Sequence, residues 1–391
     1  MKRALSFLFA LILALGALCG AATAEELRPI RVGVACALTG DIALVGWAEK
    51  VGAQLAADEI NAAGGIDGRM MELYFEDTAG DNAEAVNAVR KLINDDKVDI
   101  IIGPCGSGYA IAATPLVTQA HIPMMTTTAT NPRVTVNEDG SLNEWVWRQA
   151  FIDNYQGEVI AEYGYKKLGL RKAAIIYDVS SDYAQGLIEF FTNSFTALGG
   201  EIVSEQGFKA GDLDFRALLS NLKSQDFDLL FFPNSYKELA LCVNQMAELG
   251  ITGKQVMCGD SAMSANAVEI AGHNLDGTFI CTYFSTEDGA VRELIDRVIK
   301  TYGLTSEPEP NCVINYDMVY WVADVVKRAE GSIEPEALQK AINETKDLPL
   351  LSGKMTVDPE THNPLHKPAA MIQYQDAKQV FVENYEPTGT N

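Results

Sequence analysis

Two short segments of this chain concentrate the donors that an anionic group requires. Gly103-Pro104-Cys105-Gly106-Ser107-Gly108-Tyr109 and Thr126-Thr127-Thr128-Ala129-Thr130-Asn131-Pro132 are rich in hydroxyls and unhindered backbone N–H groups. The first opens a helical pattern, whose N-terminus favours negative charge. A carboxylate or phosphate held between Ser107 and Thr130 is one reading; the other is that Ser107 caps its own helix and the threonines close local turns. The glycines match neither a P-loop, which needs a following Lys, nor the dinucleotide fingerprint. The opposite charge lies further on. Cys258-Gly259-Asp260-Ser261 follows an apolar run, and Tyr177-Asp178 and Asp182-Tyr183 follow another. A carboxylate drawn out of water is costly unless paired, so one inside a cleft calls for a cation such as an ammonium. Asp260 before Ser-Ala-Met is also an ordinary helix cap.

Nothing in the chain arranges for covalent chemistry. His121, His273, His362 and His366 sit in unrelated contexts, and neither a G-x-S-x-G elbow nor an S-x-x-K box occurs. No enzyme, no catalytic residue and no cofactor is expected. Cys36, Cys105, Cys242, Cys258, Cys281 and Cys312 form no C-x-x-C pair and have no histidine at metal spacing, so no metal site is expected. Cys36 with Cys105, and Cys258 with Cys281, fall near the ends of predicted strands. They are either bridges or thiols buried in a core that needs no staples.

The elements that must carry these residues are written twice. Ile30 to Cys36 reads as a strand. A helix follows with Trp47, Val51 and Leu55 on one face, stopping at Ala63-Gly64-Gly65. Met71 to Phe75, Asp99 to Gly103 and Pro123 to Thr127 continue as strands two to four, with a helix around Val86, Val89 and Ile93. The β-branched run at 99–103 has the character of a strand buried on both faces. The second half repeats this, with strands at Ala173–Tyr177, Glu201–Val203, Asp228–Phe232, Gln255–Cys258 and Thr278–Cys281 and a helix from Gly186 to Leu198. Strand-helix alternation implies parallel sheets with right-handed crossovers, so the fold class is α/β: two doubly wound domains side by side. The last part departs from the repeat, with helices around Asn315–Arg328 and Pro335–Ile342 and a hairpin across Asp376-Ala377-Lys378. Pieces that fit neither repeat imply a chain that crosses between domains several times, which makes a multi-strand hinge. The expected lobes are 25–152 with 285–355, and 153–284 with 356–391.

Composition excludes some partners. With 30 basic against 53 acidic residues the net charge is −23, a surface that repels nucleic acid and anionic lipid. Apolar content of 48% excludes disorder as the cause. Lys2-Arg3, an apolar stretch from Ala4 to Leu18 and Ala22-Thr23-Ala24 follow the layout of a secretory signal, with cleavage expected after Ala24. The stretch is shorter than the ~20 residues a membrane span needs. Export to the periplasm is the resulting expectation.

Taken in order, Val34-Ala35-Cys36-Ala37-Leu38-Thr39-Gly40, Asp58-Glu59-Ile60-Asn61-Ala62-Ala63-Gly64-Gly65-Ile66-Asp67-Gly68, Asp77-Thr78 and Ile102-Gly103-Pro104 resemble the type I periplasmic solute-binding proteins of the branched-chain amino acid group. Thr128-Ala129-Thr130-Asn131-Pro132, Tyr183-Ala184-Gln185-Gly186 and Gly259-Asp260 continue the match. The resemblance implies an extracytoplasmic receptor of an ABC importer that closes around an amino acid zwitterion, works as a monomer and delivers its cargo to permease subunits. It implies that Ser107, Thr128 and Thr130 hold the ligand carboxylate, that Asp260 pairs with the ammonium, and that Tyr183 faces the ligand from the second domain. Val45 and Ser235, with Tyr236 adjacent, stand where leucine-type receptors place aromatic rings, so the side-chain pocket differs. Trp47, Tyr109 and Phe151 are candidates for its other walls. A disulfide familiar in those receptors has no counterpart, because the Asp77 to Asp81 turn holds no cysteine. The alternative is a ligand-binding sensor subunit for an amide, a urea or an aromatic acid.

Overall fold

In the computed structural model, which describes residues 28–388, β1 (Ile30–Cys36) runs between β2 (Met71–Asp77) and β3 (Ile100–Ile102), parallel to both. The signal-type segment, 1–24, lies outside the described residues. All three residues of β3 are buried, as its unbroken isoleucine run requires of a strand covered on both faces. β4 (Met124–Thr126) and β5 (Val146–Arg148) complete a parallel sheet of order β2-β1-β3-β4-β5.

The fifth strand is an addition to the sequence reading. Val146-Trp147-Arg148 is short and ends in a charge, yet Arg148 is fully buried. Its guanidinium donates to the Ala129 carbonyl at 2.9 Å, the Asn131 carbonyl at 2.9 Å and Thr135 Oγ1 at 3.1 Å. The arginine is thus a strut that ties the Thr126–Asn131 segment to the sheet edge, with its burial offset by those acceptors.

Three helices serve this sheet: α1 (Ala43–Ala62), α2 (Asn82–Asn94) and α3 (Ser107–Ala120). α2 starts on Asp81, whose carboxylate accepts from the N–H groups of Ala83 and Glu84. The second sheet contains β6 (Lys172–Asp178), β7 (Glu201–Phe208), β8 (Leu229–Phe231), β9 (Gln255–Cys258) and β10 (Phe279–Thr282), in the parallel order β7-β6-β8-β9-β10. That is the first sheet's strand order repeated, so the two halves are copies of one doubly wound topology. α4 (Asp153–Glu162), α5 (Asp182–Ala197), α6 (Arg216–Lys223), α7 (Tyr236–Glu248) and α8 (Asn266–Ala271) belong to this half. α5 begins four residues earlier than the apolar spacing marks, because the Ser181 hydroxyl caps it through the Ala184 N–H.

After β10 the chain returns to the first sheet. α9 (Gly289–Tyr302) leads to α10 (Asn311–Arg328), which packs along α1. The two helices approach so closely that a Cβ on Gly52 would lie 2.0 Å from the Cys312 carbonyl oxygen. After α11 (Pro335–Asn343), the chain recrosses to add β11 (Ala369–Gln375) and β12 (Lys378–Tyr385), an antiparallel hairpin at the edge of the second sheet. Its turn residues Asp376 and Ala377 both have positive φ, the geometry of a tight hairpin. The chain therefore passes between the sheets after β5, after β10 and before β11. All six cysteines among the described residues are buried and unpaired, so the reading as core thiols holds and neither candidate bridge forms. No helix among the described residues is long and apolar enough to cross a membrane.

Candidate functional site

In doubly wound sheets ligands bind beyond the carboxyl ends of the strands, where the strand order reverses. Here those ends of both sheets meet at one cavity of about 680 Å³, within the size range of small-molecule sites. The first sheet contributes the segments after β1, β3 and β4; the second contributes those after β6, β8, β9 and β10.

At the first sheet's wall, Ser107 is the first residue of α3, with Gly106 at the cap position, and no side chain caps this helix. The Ser107 hydroxyl oxygen instead accepts the Asn131 N–H at 3.2 Å. Its own proton remains available to the cavity, beside the unpaired N–H groups of the first helical turn. The Thr128 hydroxyl donates to the Cys105 carbonyl at 3.2 Å, locking the two donor-rich segments together. Thr130 does not join them. It is fully buried, does not line the cavity, and gives its carbonyl to the Asp153 N–H at 3.0 Å. It belongs to the crossing between lobes, one layer behind the wall.

The second wall presents Asp260. Sequence left its role as a helix cap open, and the geometry excludes it: Asp260 opens a 3-10 turn over Asp260–Ala262 with no side-chain cap. Its carboxylate receives Gln156 Nε2 at 2.9 Å and the Tyr183 hydroxyl at 3.1 Å on Oδ1, and the Tyr283 hydroxyl at 2.5 Å on Oδ2. All three donors are neutral. Burial raises the Asp260 pKa, and the bonds from Tyr283, Gln156 and Tyr183 only partly oppose this.

Gln156 and Tyr283 escaped the sequence reading. Tyr283 directly follows β10, so the rule that singled out the other strand ends applies to it equally. Gln156 sits in the first turn of α4, in a crossing segment without a local signature.

Two of the expected pocket walls lie elsewhere. Trp47 packs edge-on against Tyr302, with centroids 6.2 Å apart, and does not line the cavity. Phe151 is buried one layer back, its ring 4.5 Å from that of Tyr283. Val45, Tyr109, Ser235 and Tyr236 do line the cavity. Tyr109 is fixed by donating its hydroxyl to the Gly80 carbonyl at 2.7 Å, and the Ser235 hydroxyl donates to Glu238.

Gly259 sets how closely the Tyr183 ring can approach. A Cβ there would lie 2.1 Å from the Tyr183 hydroxyl oxygen and 2.8 Å from Leu187 Cδ2. Gly259→Ala is therefore expected to drive the Tyr183 hydroxyl off Asp260 and weaken ligand binding by about tenfold, the value of roughly one charged hydrogen bond. Titration calorimetry of this variant beside Tyr183→Phe checks it: equal losses in the two locate the damage at that bond.

The walls touch across the cleft. Asn131 Nδ2 donates to the Asp182 carbonyl at 2.7 Å, Arg133 pairs with the Asp182 carboxylate, and Lys237 lies 3.7 Å from Asp41. These pairs are exposed enough to contribute little energy each, and they join the two walls across the cavity mouth.

A model of the periplasmic binding protein family matches residues 29–379. The chain is 29% identical to Leu/Ile/Val-binding protein homolog 3 of Brucella melitensis, over 90% of this chain and 94% of that one. Among solved structures, it superposes with a TM-score of 0.83 on the branched-chain amino acid transporter substrate binding protein LivJ of Streptococcus pneumoniae in complex with isoleucine. That pair is 32% identical, covering 92% of this chain and 100% of the other. A solute binding protein of an ABC transporter from Rhodopseudomonas palustris, in complex with 3,4-dihydroxybenzoic acid, shares the fold with a TM-score of 0.80 at 23% identity, covering 92% and 98%. The repeated 2-1-3-4-5 sheets, the cavity at their facing ends and the match along nearly the whole described chain lead to one conclusion: this chain belongs to the periplasmic binding protein family, as a type I solute-binding protein related to the Leu/Ile/Val-binding proteins.

Proposed function

We propose that the protein is an extracytoplasmic receptor, exported with removal of residues 1–24, that binds an α-amino acid between its lobes and delivers it to the permease of an ABC importer. The lobes would be 25–152 with 285–355 and 153–284 with 356–391, joined by the three crossings. In the open form the Ser107 hydroxyl, the Thr128 backbone and the start of α3 receive the ligand carboxylate. Closure then carries Asp260 and Tyr183 onto the ammonium. Ligand bound to both walls stabilises only the closed state, which is how it shifts the population.

The observation that carries this reading is the Asp260 carboxylate. It is a half-buried anion at the cavity wall with three neutral donors and no cation within salt-bridge distance among the described residues. An α-ammonium supplies the missing charge. An aromatic acid or an amide would leave it unpaired, so the sensor for such ligands is the weaker reading.

A thermal-shift screen of the refolded, ligand-free protein tests this. A ligand at 100 times its Kd stabilises the fold by about 2.7 kcal/mol. The expected result is a shift with one class of α-amino acid and none with its deaminated analogue. Shifts confined to aromatic acids or amides would overturn the ammonium site.

A further inference from the structure

The charge on the cavity wall is one-sided beyond what a zwitterion needs. Asp81, Asp178, Glu238, Asp260 and Glu309 line it without an ion pair, and Asp41 and Asp182 add two more carboxylates that are paired across the cleft. No Lys, Arg or His lines the cavity. A cleft lined by one sign of charge focuses the field on whatever enters it. A neutral zwitterion satisfies Asp260 and leaves the rest of that field uncompensated.

Two of these carboxylates, Glu238 and Glu309, both lie close enough to Tyr236 to act on its phenol, and neither shares a hydrogen-bond partner with Asp260. Glu309, just before α10, is only 3% exposed. The Ser264 hydroxyl at 2.8 Å and Asn266 Nδ2 at 2.7 Å both bond to its Oε1, while Oε2 accepts no hydrogen bond and the residue opens onto the cavity. Glu238, in the first turn of α7, is half-buried and takes only the Ser235 hydroxyl. Tyr236 is a cavity-lining ring whose phenol pKa is pushed up to about 12 by burial and then by Glu309 and Glu238. A leucine-like side chain placed here would strip water from Glu238, leave Glu309 without a counter-charge and return nothing to either. A cation would pair with them and lie against the face of an aromatic ring.

Building on the amino acid reading above, we propose that the cargo is an α-amino acid whose side chain ends in a cation, an ammonium or a guanidinium, with Glu238, Glu309 and Tyr236 as its seat. The α-carboxylate and α-ammonium keep their places at Ser107 and Asp260. The second positive charge is what the Glu238–Glu309 end selects, and Val45 and Ser235, in place of aromatic rings, leave the passage to it open.

Titration calorimetry of the ligand-free protein with L-arginine, L-lysine and their uncharged counterparts L-citrulline and L-norleucine, with L-leucine alongside, is the test. Arginine or lysine is expected to bind about a hundredfold more tightly than its uncharged counterpart. In Glu309→Gln and in Glu238→Gln that ratio is expected to fall below about tenfold. Equal or tighter binding of the uncharged ligands by the unaltered protein would overturn the cationic seat and leave the amino acid receptor standing. No binding by any α-amino acid would overturn the receptor reading itself, and the seat with it.

Discussion

Replacing Asp260 by Ala is expected to weaken binding of the proposed α-amino acid ligand by about 3–5 kcal/mol, roughly two to three and a half powers of ten in Kd. The size follows from what remains. The ligand ammonium, closed off from water, loses its only charged partner, and Gln156, Tyr183 and Tyr283 converge on an empty position. The empty protein responds differently. Burial has raised the Asp260 pKa, so the ionised carboxylate is under tension until a cation arrives. Its removal should leave the melting temperature of the unliganded chain level or slightly higher. Asp260→Asn separates charge from shape, since it keeps one acceptor for the tyrosines and lacks the charge; it should lose nearly as much affinity as the alanine. Calorimetry with the ligand and with its deaminated analogue completes a double-mutant cycle. The analogue should bind wild type and Asp260→Ala within a few-fold of each other. An alanine variant that keeps wild-type affinity for the amino acid would remove Asp260 from the site.

What the sequence made legible here was whatever local pattern determines. β3, β4 and β9 are short runs buried almost throughout, and their strand ends directed attention to Ser107, Thr128 and Asp260. The hairpin at Asp376-Ala377 was readable from its turn. Roles decided by long-range approach were not. Asp260 before Ser-Ala-Met fits a cap and a ligand equally in one dimension; only Tyr183 and Tyr283, brought in from 77 and 23 residues away, decide between them. Arg148 carries no local sign of its burial, because the carbonyls of Ala129 and Asn131 that receive its guanidinium come from 19 and 17 residues away. Trp47 and Phe151 follow strands or start helices near the cleft, but each has an aromatic neighbour, Tyr302 or Tyr283, that holds it one layer back. Spacing places a residue near an edge; packing decides which way it faces.

The second large effect is on stability and comes from two carboxyls that do not line the cavity. Glu49 on α1 is 1% exposed and Asp153 at the start of α4 is fully buried. No hydrogen bond of normal geometry reaches either group's oxygens, although Cys105 and Asn315 lie near Glu49 and Thr130 near Asp153. Burial pushes each pKa up to about 8, and for Asp153 the opposing influences of Thr130 and then Arg148 are too weak to reverse this. The folded chain therefore holds these protons to about pH 8, whereas the unfolded chain releases them near pH 4. Between those limits the native state binds more protons, so stability is fully present in acid and falls as pH rises toward 8. The loss should reach the order of several kcal/mol for the pair. Glu162 acts in the opposite sense, its pKa lowered to about 2 by Thr388, Tyr385 and Lys166 against the cost of burial, but that contribution changes only below about pH 4.5. Melting temperatures of the unliganded protein at pH 5, 6.5 and 8 should therefore decline steadily. Glu49→Gln, which keeps the shape and cannot ionise, should match wild type at pH 5 and melt higher at pH 8. A wild-type melting temperature that climbs across this range would mean that both carboxyls are ionised in place. The amide variant then identifies the source: if Glu49 were ionised and satisfied, removing its charge would cost stability at pH 8 instead of adding it.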